Sequence, residues 1–262
     1  MMAPLAAAIM FFLGAALAGN AFGQEAPSED IQIGLSTDRV SITSDFAGAN
    51  LTIFGAVDDI DPLISRQGGY DVIVVLEGPP RTTVVRKKTR VLGMWINTHS
   101  LVFRDVPASY SVALTRQPQD ITDTANYERL ALRVENVRLQ PLDADGNPQT
   151  IEEFTAALRA RKLAAGLYVE RPGGVQFLSR SLFRATLQLA PNVPVGTHRA
   201  RAFLFRNGTF VRETSAALTI RKAGIEQRIF EFAHQNGLLY GLGAVFVAIV
   251  TGWVGRMVFR RD

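Results

Sequence analysis

Residues 70–76 read Tyr-Asp-Val-Ile-Val-Val-Leu, with four β-branched residues in a row before the leucine. Neighbouring side chains of a strand point to opposite faces of its sheet, so this stretch is apolar on both faces. Apolar runs of this length that are rich in β-branched residues are typical of central strands. Tyr70–Leu76 is therefore predicted to be a central strand.

The sequence around this strand has a β pattern from Ile31 to about Thr115. Short runs rich in Val, Ile, Thr and Phe alternate with Gly, Pro and Asp, which favour turns. The other strands predicted in this zone are Ile31–Leu35, Asn50–Phe54, Thr82–Arg86, Val91–Ile96, Leu101–Arg104 and Tyr110–Leu114.

A second β zone extends from Gly166 to Arg221. Asn207-Gly208 is a strong signal for a two-residue hairpin turn, because that turn needs positive φ at both positions. Alternating apolar and polar residues predict a three-stranded meander in this zone, with strands at Ser181–Leu189, Thr197–Phe205 and Thr209–Ile220.

Residues from about 120 to 165 lie between the two zones and have helical spacing. Thr150 is a candidate N-cap, and Glu152 and Glu153 suit the positive end of a helix. Two helices are predicted on either side of the Pro141–Pro148 turn. Their apolar residues are Tyr127, Leu130, Ala131 and Val134, then Ile151, Phe154, Ala157, Leu158 and Leu163.

These elements predict a mainly β fold class for residues 24–221. Many short strands with regular turns favour an immunoglobulin-like antiparallel sandwich, here with a helical insertion at about 120–165. The pattern leaves open whether the two β zones share one sandwich or form two.

The N-terminus has the features of a secretory signal peptide, predicted over residues 1–23. The apolar run Leu5–Ala18 is shorter than a membrane span, and Ala21 and Gly23 place small residues before Gln24, as at a cleavage site. The alternative is an uncleaved N-terminal anchor.

The C-terminus is predicted to cross a membrane over residues 237–259. Gly237–Gly255 contains no charged residue, and about 20 apolar residues are enough to cross a bilayer core of about 30 Å. Tyr240 and Trp253 lie near the two ends of the span, where aromatic rings favour the membrane interface.

Positive charges set the predicted orientation of this span. Arg256 can extend to the headgroups, and Arg260 and Arg261 lie in the short tail, residues 260–262. Positive charge next to a span stays in the cytoplasm. The sequence therefore predicts a single-pass protein of the bacterial inner membrane, with a periplasmic domain, a juxtamembrane segment at 222–236 and a cytoplasmic C-terminus.

The predicted span also carries small residues three or four positions apart, which places them on one helix face. Small residues let membrane helices approach closely, although a lipid-facing helix can also contain glycine. The candidate helix-packing residues are Gly237, Gly241, Ala244, Ala248, Thr251 and Gly255.

Composition excludes several kinds of chemistry. The 262 residues include no cysteine, so disulfides, thiolate metal sites and cysteine nucleophiles are excluded. The net charge of +4 is a mild bias, and an exported domain is not expected to bind nucleic acid. The histidines His99, His198 and His234 lack metal-binding spacing. We expect no metal site and no cofactor.

Three further polar stretches have alternative interpretations. Asp143–Asn147 resembles the start of a calcium loop, but Pro148 and Phe154 stand where that loop needs glycine and glutamate, so a solvated turn is favoured. Asp58–Asp61 is interpreted as a polar loop. The basic residues Arg81, Arg86, Lys87, Lys88 and Arg90 suit phosphate or lipid headgroups, but protection of an exposed strand edge is favoured.

Several motifs along the chain together resemble those of one known family. The motifs are Phe46-Ala-Gly, Leu51-Thr-Ile-Phe-Gly-Ala, Val72-Ile-Val-Val-Leu-Glu-Gly-Pro, Gly93-Met-Trp-Ile-Asn, Val106-Pro-Ala-Ser-Tyr, Leu182-Phe-Arg-Ala, Leu204-Phe-Arg-Asn-Gly, Leu239-Tyr-Gly-Leu and Gly252-Trp. The family that they resemble is the putative transmembrane protein family of alphaproteobacteria. The resemblance covers nearly the whole chain after the signal peptide and implies an envelope location with one C-terminal span. It brings no activity and no catalytic residue, and suggests a sulfite-exporter-like permease as a partner.

The sequence thus predicts a non-catalytic, membrane-anchored domain that contacts the lipid bilayer and binds or scaffolds another envelope protein, or a second copy of itself. The rival hypothesis is an envelope hydrolase or a ligand sensor whose site is assembled from residues distant in sequence. A deep pocket with converging His, Asp or Ser side chains would favour the rival.

Overall fold

The computed structural model describes residues 29–43, 46–142, 147–222 and 232–258, with side chains to residue 256. The described strands are β1 Asp30–Leu35, β2 Arg39–Ile42, β3 Ala49–Asp58, β4 Tyr70–Glu77, β5 Pro80–Val91, β6 Met94–Pro107, β7 Tyr110–Leu114, β8 Gln140–Pro141, β9 Tyr168–Pro172, β10 Val175–Phe177, β11 Leu182–Leu189, β12 Gly196–Arg206 and β13 Thr209–Lys222. The helices are α1 Pro62–Arg66, α2 Pro118–Ile121, α3 Thr124–Leu130, α4 Pro148–Ala164 and α5 Gly237–Val258, with a 3₁₀ turn at Val134–Asn136.

Some predictions concern residues outside this description. They are the signal peptide at residues 1–23, residues 143–146 of the Asp143–Asn147 loop, residues 223–231 of the juxtamembrane segment, residue 259 of the span, and the tail with Arg260 and Arg261.

Two sheets form a sandwich. The four-stranded sheet has the order β1-β3-β11-β10, and the six-stranded sheet has the order β2-β13-β12-β4-β7-β9. Most neighbours are antiparallel, while β2 with β13 and β7 with β9 are parallel. The predicted class, a mainly β and mostly antiparallel sandwich with a C-terminal apolar helix, is confirmed.

The central strand β4 is buried on both faces, as its sequence predicts. Val72, Val74 and Leu76 point into the core between the two sheets. Ile73 and Val75 point to the other face, where α2 and α3 cover them with Ile121 and Tyr127 among others. Each face of β4 is thus covered by a different layer of the protein.

The strands of the two β zones pair with one another. β3 pairs with β11, and β4 pairs with β12, so the zones contribute to the same two sheets. The predicted meander is wrong, because β11 lies in the four-stranded sheet while β12 and β13 lie in the six-stranded sheet. The apolar faces of β11 and β12 meet across the core, with Phe183 and Leu187 on one side and Ala202 and Leu204 on the other.

The hairpin turn predicted at Asn207-Gly208 is present. Both residues have positive φ, +47° and +83°, and they join β12 to β13. A second turn of this kind, which the sequence interpretation missed, joins β5 to β6 at Leu92-Gly93, with φ of +50° and +86°. The predicted strand Val91–Ile96 is therefore wrong, because the chain reverses direction inside it.

The helical insertion has a different form from the one predicted. Its first part is broken into α2, α3 and the 3₁₀ turn, while its second part is the single helix α4. Asn147, not Thr150, caps α4: its side-chain oxygen accepts a hydrogen bond from the Gln149 amide at 3.0 Å. Pro148 follows at the first helical position, which suits its fixed φ.

Strands β5 and β6 form a long two-stranded ribbon, residues 80–107, completed at its base by the short β8. Its base packs on α4 through Phe103, Val106, Phe154 and Leu158. In the distal half, residues 86–100, every residue except Thr89 is exposed. The ribbon thus projects from its support on α4.

Candidate functional site

Helix α5 has the length and composition of a membrane span. Its 22 residues extend roughly 33 Å at about 1.5 Å per residue, which matches a bilayer core of about 30 Å. Gly237–Arg256 has a mean hydropathy of 1.9, and it is the one such helix among the described residues. No residue of this segment is buried, unlike the core helix of a soluble protein.

The two faces of α5 differ in side-chain size. At about 100° per residue, the predicted helix-packing residues fall within an arc of roughly 80°. Bulky residues cover the opposite side, among them Leu239, Leu242, Phe246, Ile249 and Trp253. The small residues, defined here as the small face of α5, are Gly237, Gly241, Ala244, Ala248, Thr251 and Gly255.

The small face has room for larger side chains within the described structure. A Cβ built on Gly237, Gly241 or Gly255 has no neighbouring atom within 4 Å. The hydroxyl of Thr251 donates to the Val247 carbonyl at 2.7 Å, so it is satisfied inside the helix. Substitutions on this face therefore test contacts with other molecules without disturbing contacts inside the chain.

The predicted interface residues lie near the two ends of α5. Tyr240 lies in the first turn of the helix, and Trp253 and Arg256 lie towards its other end. All three side chains are exposed, and Arg256 is the basic residue of the last turn. This arrangement suits an apolar core with an aromatic and charged boundary.

The polar residues considered as candidate ligands in the sequence analysis do not come together in the described part of the structure. No group of three His, Asp or Glu residues suited to a metal ion occurs within the described residues. His99 is exposed on the ribbon, while His198 is fully buried in β12. Asp61 accepts a hydrogen bond from the Leu63 amide at 2.8 Å and thereby caps α1.

One serine–histidine pair was missed in the sequence because its members are far apart. Ser109 Oγ lies 3.2 Å from His198 Nε2. His198 lines a pocket together with Glu77, Asp105 and Thr197, among others. The close approach depends on Gly78, since a Cβ there would lie 2.4 Å from Ser109 Oγ.

The environment of His198 is better suited to a structural pair than to catalysis. Its Nδ1 lies 3.2 Å from the Gly196 carbonyl, so Nδ1 carries the proton and Nε2 accepts from Ser109. A carbonyl fixes this tautomer but has no full negative charge to stabilise an imidazolium, as the aspartate of a triad does. Burial also lowers the pKa of His198, which disfavours the charged form further.

Two charged clusters join neighbouring strands in the interior of the six-stranded sheet. Asp71 is 2% exposed and accepts hydrogen bonds from Arg116 and from the Thr115 hydroxyl, the latter at 2.7 Å. Arg201 forms ion pairs with Glu77 at 2.9 Å and Glu213 at 2.7 Å. Each carboxylate in these clusters is paired, so their evident role is to join neighbouring strands.

A β-sandwich joined to one exposed apolar helix defines the class of this protein as a membrane protein with one candidate span in its described part. A family model described as "Putative transmembrane protein (Alph_Pro_TM)" matches residues 30–261, and the chain belongs to that family. The match confirms the resemblance found in the sequence.

Comparison with curated proteins gives no match. Among solved structures, the chain is similar to AggA, the major subunit of aggregative adherence fimbriae type I from Escherichia coli. The similarity has a TM-score of 0.25 and 11% sequence identity, and it covers 76% of this chain and 97% of AggA.

Proposed function

We propose that this protein is a non-catalytic anchor and binding module of the bacterial inner membrane. In this proposal the β-sandwich lies in the periplasm, α5 crosses the bilayer once, and the C-terminal tail lies in the cytoplasm. The module binds or scaffolds another envelope protein, such as a permease, or a second copy of itself.

The observation that carries the proposal is the segregation of side-chain size around α5. Within a bilayer the hydrophobic effect gives no net drive for two apolar helices to associate, so association depends on close packing and on hydrogen bonds. Small residues allow backbones to approach, and here they line one face over the whole helix. The opposite face has the large side chains that suit acyl chains.

The rival function, an envelope hydrolase or ligand sensor, has one observation in its favour, the Ser109–His198 pair beside a pocket. A hydrolase that used Ser109 as its nucleophile would be labelled covalently by a fluorophosphonate probe, and Ser109→Ala would abolish the labelling. We expect no labelling, because the imidazolium that would form on buried His198 faces the Gly196 carbonyl and has no carboxylate to stabilise it.

The proposal is tested by enlarging the small face. We expect Gly241→Leu with Ala248→Leu to abolish co-purification of the partner, or of a differently tagged second copy, in mild detergent. Membrane insertion and expression are expected to persist, because Leu favours insertion and no atom lies within 4 Å of a Cβ at Gly241.

The helix offers a matched control. Gly243 and Val250 lie about 200° around the helix from Gly241 and Ala248, on the bulky side. Gly243→Leu with Val250→Leu introduces the same new residues, and it is expected to leave co-purification unchanged. If both pairs of changes behave alike, α5 serves only as an anchor and the binding role of its small face is wrong.

A further inference from the structure

The tip of the β5–β6 ribbon exposes large apolar side chains. Leu92 in the turn is 95% exposed, Met94 is 65% exposed and Trp95 is 68% exposed, and Val91 and Ile96 beside them are also exposed. Soluble surfaces rarely gather this much apolar area at one point unless something binds there. These five residues, 91, 92 and 94–96, are defined here as the ribbon tip.

The ribbon is uniformly cationic. Between Arg81 and Arg104 it has no Asp or Glu, and its basic residues are Arg81, Arg86, Lys87, Lys88, Arg90 and Arg104. The charge closest to the tip is that of Arg90, whose Nε donates to the Gly93 carbonyl at 3.3 Å. A surface of this kind is complementary to an anionic partner.

The strand register separates two kinds of side chain at the ribbon tip, as in segments that lie at a membrane interface. Arg90 pairs with Trp95, and Lys88 pairs with Asn97 two residues along, so tryptophan and cations share one face. Val91 pairs with Met94 on the other face, next to Leu92. Tryptophan and basic side chains favour the headgroup level of a bilayer, while aliphatic side chains favour the acyl region.

The ribbon is long enough to contact a membrane surface, and its base is held on α4. Lys87 forms an ion pair with Glu153 of α4 at 2.6 Å, and the five residues from there to Leu92 extend roughly 17 Å at about 3.3 Å each. Amphipathic segments bury about 5–10 Å into the boundary between headgroups and acyl chains. The tip can therefore enter a membrane surface while the base stays on α4.

We propose that the ribbon tip inserts into the surface of an anionic lipid bilayer, as a second membrane contact besides α5. Protection of the β5 edge accounts for the basic residues but not for the exposed Leu92, Met94 and Trp95, which a protected edge would avoid. Because the chain belongs to a transmembrane family, we expect a bilayer to lie near the ribbon. This contact requires no partner protein.

The test uses Trp95 as the reporter in the full chain. The sequence has two tryptophans, so Trp253→Phe leaves Trp95 as the single one. The protein is reconstituted into vesicles of phosphatidylcholine and phosphatidylglycerol in equal parts. We expect Trp95 emission to shift to shorter wavelength than in phosphatidylcholine vesicles, to be quenched by lipids brominated on the acyl chain, and to lose accessibility to acrylamide.

Two double variants separate the contribution of the basic residues from that of the aliphatic residues. Lys88→Ser with Arg90→Ser is expected to restore acrylamide access, because each basic residue near an anionic surface changes occupancy about fivefold. Leu92→Ser with Met94→Ser is expected to abolish quenching by the brominated lipids. All four side chains are exposed, so circular dichroism is expected to show an unchanged fold.

A control places the reporter at the ribbon base, as Thr82→Trp in a chain with Trp95→Phe and Trp253→Phe. This tryptophan is expected to stay accessible to acrylamide in both kinds of vesicle. The proposal is overturned if Trp95 stays as accessible in the anionic vesicles as the base reporter, or if it becomes shielded only when another protein is added.

Discussion

Replacing Gly208 by valine is expected to destabilise the fold by about 1–2 kcal/mol, the cost of a left-handed backbone for a residue with a Cβ. Gly208 has a φ of +83° in the turn between β12 and β13. A Cβ there would meet only the Ile121 carbonyl oxygen, at 3.7 Å, which is an ordinary contact. The cost therefore comes from the backbone conformation and not from a clash, and β-branching makes it larger still.

The assay is thermal unfolding of the full chain in detergent, followed by circular dichroism. For a chain of this size each kcal/mol lowers Tm by about 2–4 °C, so we expect a decrease of about 2–8 °C. Gly208→Asn is expected to lower Tm by less than half as much, because asparagine tolerates left-handed φ. If valine and asparagine cost the same, or neither lowers Tm, the positive-φ turn is wrong.

Two other changes test the core. Burial lowers the pKa of His198 below its ordinary 6.5, so the unfolded chain binds more protons than the folded one as pH falls below about 6.5. The free energy of unfolding, measured with urea, should therefore be highest above pH 6.5. It should fall as the pH drops towards the pKa that His198 has in the folded protein. His198→Gln should flatten this dependence and His99→Gln should not, whereas a flat wild-type profile would refute the reasoning. Gly55→Ala places a Cβ 2.2 Å from Phe183 Cζ and should cost about 1–3 kcal/mol by overpacking. Adding Phe183→Leu should recover part of this loss, and wild-type stability of Gly55→Ala would show that the sheets pack differently.

The elements predicted correctly are those whose local sequence is compatible with only one local structure. The apolar run in β4 needs cover on both faces, and Asn207-Gly208 suits a turn in which both residues have positive φ. The charge-free stretch from Gly237 is too long and too apolar for a surface helix. In each case the residues themselves fix the local structure.

The errors arose where distant contacts decide the outcome. The strands at 182–189 and 196–206 both alternate, and alternation does not tell whether two such strands pair edge to edge or pack face to face. The structure packs them face to face, because Phe183 and Leu204 are then buried in one core. The ribbon was missed because Leu92-Gly93 is a weaker turn signal than Asn-Gly, and leucine rarely has positive φ.

The candidate site was predictable only in part. The small face of α5 follows from spacing alone, because a helix places residues three and four apart on one side. The Ser109–His198 pair joins residues 89 positions apart, which no local pattern reveals. The apolar residues of the ribbon tip were predicted to lie in one strand, Val91–Ile96, since the sequence does not show that they project beyond the support of α4.

The central claim, one membrane crossing with an exported β-sandwich, is tested most directly by cysteine accessibility. The sequence has no cysteine, so each variant carries a single reactive thiol. Ser181→Cys is exposed on the sandwich, and a cysteine appended after Asp262 reports the tail. In cells with a permeabilised outer membrane, an impermeant maleimide is expected to label Ser181→Cys at once and the appended cysteine only after lysis. Labelling of the appended cysteine before lysis, with Ser181→Cys protected, would contradict the account.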